Sequence, residues 1–155
     1  MAIARYNLSI RYNGKVLIAL PTTTINDGHN NWTLPNDLIA DSDPKDAVSY
    51  IFNQITGLDL EAEAKNRLEY KQRVEDGKIY YRTEIVLDHD LPVTQWNTMS
   101  TCRLTRYDKA SNLRIPKYVK FKWVPEDELY YWLTRQYCRI EDVKISYFYP
   151  DNGRF

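Results

Sequence analysis

Three stretches of this 155-residue chain carry side chains whose types and spacing could do chemistry. The first, from Asp37 to Glu63, holds Asp37, Asp41, Asp43, Asp46, Asp59, Glu61 and Glu63 against Lys45 alone. Carboxylates suit hard, oxygen-seeking cations such as Mg²⁺. The second is Asp88-His89-Asp90, where an imidazole between two acids could ligate a metal with His29 as a partner. Two isolated histidines on polar stretches are more simply solvated, and loop and cap acids are common without a cation. The third stretch sets Arg103, Arg106, Lys109, Arg114, Lys117, Lys120 and Lys122 against the single acid Asp108, with Tyr107, Tyr118 and Phe121 interleaved. Cations pair with phosphates while rings stack on bases. Those seven cations with Tyr107 and Tyr118 are therefore the candidate surface for RNA or a nucleotide. The plain alternative is a solvated connection between strands, or one that pairs with the acidic stretch of the same molecule or a partner.

Other catalytic signatures are missing. The chain has no Gly-x-Ser-x-Gly, no P-loop, no Gly-x-Gly-x-x-Gly and no His-Glu-x-x-His. Cys102 and Cys138 lack metal-ligand spacing and cannot form a disulfide framework, so they read as thiols in a reducing compartment.

Several elements must position these side chains. Tyr6, Leu8, Ile10 and Tyr12 alternate with Arg5, Asn7, Ser9 and Arg11, the period of a half-buried strand. Asn13-Gly14 is a two-residue hairpin turn, and Lys15–Leu20 returns as its partner. Residues 21–31 read as a loop, and Trp32-Thr33-Leu34-Pro35 as an apolar step into another turn. Asp43-Pro44 opens a helix over about 44–56, with Ala47, Val48, Ile51, Phe52 and Ile55 on one stripe and Gly57 as the stop. Leu68–Val74 and Ile79–Leu87 alternate about Asp76-Gly77 as a second hairpin. Asp88 to Pro116 reads as a long polar connection. Val119, Phe121 and Trp123 alternate as a strand, and Pro125 with its three following acids opens a helix that buries Leu129, Trp132, Leu133 and Tyr137. Residues 139–149 fit helix and strand equally.

Composition bounds the rest. The chain is 43% hydrophobic and 14% aromatic, enough for a real core. Lys plus Arg and Asp plus Glu are each 21, so net charge is zero and bulk positive charge draws it to neither nucleic acid nor membrane. Val16–Leu20 is far short of the roughly 20 residues that span a bilayer, and no signal-peptide core precedes it. These features imply a single cytoplasmic domain over residues 1–155. The 13 tyrosines fit an AT-rich genome, such as a phage's, rather than any chemistry.

The ordered set Gly14-Lys15-Val16-Leu17, Trp32-Thr33-Leu34-Pro35, Ala47, Thr56-Gly57-Leu58 and Trp123-Val124-Pro125 through Leu129 resembles the Nudix hydrolase family across nearly the whole chain. The resemblance implies an α/β fold, a Nudix-like α/β/α sandwich around a mixed β-sheet. It also implies a motif, G-x5-E-x7-R-E-U-x-E-E-x-G-U, whose clustered glutamates share one helix face and hold Mg²⁺ or Mn²⁺. Anchored on Gly57, that motif puts its first glycine at Asn36 and its isolated glutamate at Ser42 or, after a one-residue slip, Asp43. Its arginine falls at Tyr50 and its clustered glutamates at Ile51, Gln54 and Ile55. No carboxylate lies between Asp46 and Asp59, and hydrocarbon cannot coordinate Mg²⁺.

The expectation is therefore a catalytically inactive Nudix-like domain, without metal or cofactor, acting as a binding or regulatory module. Its expected target is another protein, a second copy of itself, RNA or a nucleotide. The alternative is a divergent hydrolase of nucleoside-diphosphate-linked compounds that uses loop carboxylates for Mg²⁺ or Mn²⁺.

Overall fold

The computed structural model describes residues 3–22, 32–63, 68–99 and 102–134. Residues 23–31 of the expected 21–31 loop, with His29, and Tyr137, Cys138 and the ambiguous stretch 139–149, lie outside the described residues. The elements are β1 (Ile3–Tyr12), β2 (Lys15–Pro21), β3 (Asn36–Ala40), α1 (Pro44–Thr56), α2 (Leu60–Glu63), β4 (Tyr70–Glu75), β5 (Lys78–Val86), α3 (Val93–Met99), β6 (Thr105–Asp108), β7 (Leu113–Pro116), β8 (Tyr118–Pro125), a 3₁₀ turn (Glu126–Glu128) and α4 (Leu129–Thr134).

Five strands run in the order β4-β5-β1-β2-β8. β1 and β5 are parallel from Ala4↔Ile79 to Arg11↔Val86, and the other pairs are antiparallel, so the sheet is mixed. Both expected turns form. Asn13 and Gly14, and again Asp76 and Gly77, have positive φ, the backbone that a tight two-residue hairpin turn requires.

The first hairpin departs from expectation. β1 meets β2 only at Arg11↔Val16 and Tyr12↔Lys15, then the two strands part. Along the same edge β1 takes β3 instead, from Ile3↔Ala40 to Asn7↔Asn36. The Trp32–Pro35 step fills the fork. The Leu8 amide donates to the Pro35 carbonyl at 2.9 Å, and Ala19 and Thr33 exchange two backbone bonds of 2.8 and 2.9 Å. Leu34, fully buried, seals the opening. β1 is thus interior on both faces: Asn7 and Ser9, expected on a solvated face, are 3% and 1% exposed.

The segment after Pro35 is a strand rather than a turn. Its polar start and the exposed Leu38 hide the pattern, because backbone pairing with β1 holds it more than burial does. The expected polar connection from Asp88 to Pro116 is also structured. Trp96 anchors α3 in the core against Phe121 at 5.6 Å, and β6 with β7 forms a separate two-stranded hairpin. In β8 the register slips by one residue against Leu20 and Pro21. Val119 is the extra residue of this bulge and faces solvent, while Tyr118 joins Phe121 in the core.

Each face of the sheet carries a helical layer. On one, Tyr6, Leu8, Ile10, Leu17 and Ala19 pack against the α1 stripe and Trp96. On the other, Val16, Ile18, Leu34 and Val124 pack against Leu129 and Leu133 of α4. The outcome is an α/β/α sandwich. No helix among the described residues is long and apolar enough to cross a membrane.

α1 forms where its signals place it. The Asp43 carboxylate accepts from the Lys45 amide at 2.8 Å, Pro44 fills the first turn, and Gly57 closes the helix at φ 76°, its amide donating to Asn53 O at 2.8 Å. Removing the cap with Asp43→Ala should lower stability by about 1 kcal/mol, as read from urea denaturation, while Asp43→Asn should retain most of it.

Candidate functional site

α1 turns its apolar stripe inward. Ile51 is 0% and Ile55 1% exposed, on either side of the equally buried Phe52. Tyr50 points outward at 50% exposure, and Gln54, half-buried, accepts from the Arg103 amide at 2.9 Å through its backbone carbonyl. Ser42 is exposed and donates to Ala40 O at 3.4 Å. Asn36 lies on β3, where its side chain accepts from Arg5 and its amide donates to the Tyr118 hydroxyl at 2.9 Å.

The basic stretch does not form one surface. The Lys117 ammonium is drawn inward, donating to Asn36 O and pairing with Asp37 at 3.2 Å, so one cation of this stretch answers the acidic one. Burial pushes the Lys117 pKa below its ordinary value against the upward pull of Asp37, and burial also raises the Tyr118 phenol and the Cys102 thiol. Tyr118 is 2% exposed and, like Phe121, offers no ring face to a base. This corrects its reading as a stacking residue. Arg106 donates to Thr22 O at 2.8 Å, Arg114 to Thr105, and the exposed Tyr107 to Asn112. Arg103, Lys109 and Lys120 are exposed, and Lys122 sits 3.9 Å over the Trp132 ring. Asp108, the lone acid, is buried and braces its own turn by accepting from the Ser111 amide and hydroxyl.

Two features gather elsewhere. The segment from Asp90 to Gln95 and Trp123 line an open cleft of about 660 Å³. Trp123 packs against Tyr12, and its buried indole N–H finds no acceptor among the described residues. Beside that segment Glu63, Asp88 and His89 bring three ligand-type atoms within 4.8 Å of one another. His89 Nε2 lies 2.9 Å from Glu63 Oε2, and Nδ1 lies 2.9 Å from the Asp90 carbonyl.

No family model matches the sequence, and no curated protein does. Solved structures match in shape. A bifunctional NMN adenylyltransferase/ADP ribose pyrophosphatase from Francisella tularensis, complexed with AMP and a manganese ion, superposes with a TM-score of 0.56 at 12% identity, covering 99% of this chain and 42% of that one. The NUDIX domain of Shewanella oneidensis NrtR, complexed with ADP ribose, gives 0.53 at 12% identity over 97% and 88% of the two chains. A NUDIX hydrolase from Nitrosomonas europaea gives 0.52 at 13% identity over 99% and 93%. The fold is Nudix-like.

Within this Nudix-like fold the loop acids have local work. Asp43 caps α1, Asp59 accepts from the Glu61 amide at 3.0 Å, Asp37 holds Lys117, and Glu63 faces His89. Glu63 is the partner that sequence reading missed for His89. The two are 26 positions apart, and only the packing of α2 beside the loop after β5 joins them. The cleft left no local signal beyond Trp123.

His89 titrates above its ordinary 6.5, first because Nδ1–H donates to the Asp90 carbonyl and then because of the Glu63 carboxylate. A raised folded value means that its contribution to stability is complete below pH 6.5 and is lost as pH rises through the folded pKa. Glu63→Gln should move the His89 midpoint back toward 6.5, followed by imidazole proton shifts in an NMR titration of the metal-free protein.

Proposed function

We propose that this Nudix-like domain binds a ligand without hydrolysing it, and that the ligand carries a flat heteroaromatic ring such as a nucleobase. The observation carrying this reading is the inward, hydrocarbon face of α1. Ile51 and Ile55 fill core volume and cannot supply oxygen to a cation. The cleft supports the ring: Trp123 offers an indole surface, and Thr94 and Gln95 bring polar side chains to the same wall. A base can lay its face on the indole while its edge meets the polar side chains of the wall. Two fold neighbours were solved with adenine-containing ligands, ADP ribose and AMP, which makes these the first compounds to try.

Tryptophan fluorescence and calorimetry with AMP and ADP ribose, each with and without Mn²⁺, test the proposal together with an assay for released phosphate or nucleoside monophosphate. Saturable binding without turnover, weakened about tenfold or more by Gln95→Ala, is expected. Turnover abolished by Glu61→Ala would establish the loop-carboxylate hydrolase instead. Absence of binding to either compound would remove the nucleotide as ligand.

A further inference from the structure

We propose that Glu63, Asp88 and His89 bind a divalent late first-row cation, with Zn²⁺ the best match. Two segments supply the ligands, the end of α2 and the loop that follows β5. A carbonyl can only accept, so the 2.9 Å contact to Asp90 O fixes the proton on Nδ1 and aims the other ring nitrogen at the carboxylates. This is how ligating imidazoles are oriented: one nitrogen donates to a backbone carbonyl while the other faces the metal. With Nδ1 protonated, Nε2 opposite a carboxylate at 2.9 Å holds either a second proton or a cation.

The dimensions and chemistry agree. Donors about 2.0–2.2 Å from one tetrahedral cation lie roughly 3.3–3.6 Å apart, so ligand atoms spread within 4.8 Å of one another draw in by up to about an ångström while Nε2 and Oε2, at 2.9 Å, part by a few tenths. One nitrogen and two carboxylates favour Zn²⁺ over Mg²⁺ or Ca²⁺, which prefer oxygen throughout. Neutral His89 and two ionised acids leave the site with a charge of −2 for a dication. His89 is 43% exposed, so water completes the coordination sphere. Asp90, whose carbonyl orients the imidazole, also begins the wall of the Trp123 cleft. The bound cation therefore ties α2 to that wall. The site stands whether or not the cleft takes a nucleotide.

Calorimetry of the metal-free full chain with ZnCl₂, repeated in excess MgCl₂, tests the site, with Co²⁺ absorption as a second readout. The expected result is one equivalent of Zn²⁺ undisplaced by Mg²⁺. Affinity should fall at least about tenfold in His89→Ala and Glu63→Gln, stay unchanged in His29→Ala, and weaken as pH is lowered and protons compete for Nε2. His89 is exposed and Glu63 half-buried, and circular dichroism confirms that the variants fold. Either no Zn²⁺ binding, or binding that survives His89→Ala, overturns the proposal and leaves an ion pair at the surface.

Discussion

Ile51→Glu should unfold the protein or leave it barely stable, and it should not create a site for Mn²⁺. Ile51 has no solvent exposure and packs in the main core with Phe52, Ile55 and the β1 side chains. The substitution removes hydrocarbon contacts and buries a carboxyl with no cation to meet it. The acid would stay protonated in the folded state, and the combined loss should be roughly 4 kcal/mol or more at neutral pH. Domains of this kind hold about 5–15 kcal/mol in total, so such a loss is close to disabling. The pH dependence identifies the cause. A folded pKa raised above the unfolded 4.3 means that the penalty is least below that value and grows as pH rises through the folded pKa. Urea denaturation at pH 4 and pH 7 should show the larger deficit at pH 7. A variant that keeps wild-type stability and binds Mn²⁺ would mean that α1 can turn this position toward a ligand, and would remove the main support for a domain that binds without hydrolysis.

Phe52→Ala should cost about 3–5 kcal/mol without changing the fold. Phe52 heads the fully buried side chains by volume, and its ring is enclosed by the core residues of α1 and the sheet. Truncation leaves a cavity that the paired strands around it can fill only in part. Phe52→Leu keeps most of the volume and should lose well under half as much. The urea midpoint should fall for both variants with the slope unchanged, since the surface exposed on unfolding is nearly the same. The two predictions address neighbouring positions of one helix: its inward face is committed to holding the sandwich together.

What the sequence reveals depends on how local the cause is. α1 was legible because Asp43, Pro44 and Gly57 act within their own turns, and the hairpin turns because Asn13-Gly14 and Asp76-Gly77 favour positive φ. β3 was hidden because Asn36 and Asp37 carry no apolar alternation and are held by a partner strand about thirty residues away, near the separation of Arg5 from Asn36. α3 was hidden because Trp96 alone gives it a buried anchor among its described side chains. The bulge at Val119 turned Tyr118 inward, so aromatic spacing along the chain misjudged which rings meet solvent. The basic stretch could be counted from sequence, but the descent of Lys117 to Asp37 could not. The meeting of Glu63 with His89 depends on α2 reaching the loop beyond β5, which no local pattern encodes.

The fork between β1 and β2 bears on how the chain assembles. A simple amino-terminal hairpin could zip early from its turn, but here only Arg11 and Tyr12 are paired that way. Ile3 waits for Ala40, and Ala4 waits for Ile79. Long loops must close before the central strand gains either full edge, which slows folding relative to chains built on local pairing. On the ribosome β1 emerges before β3 and β5, so it is enclosed only once both have been made. Until β5 has been made, its backbone edge is open to any other extended chain.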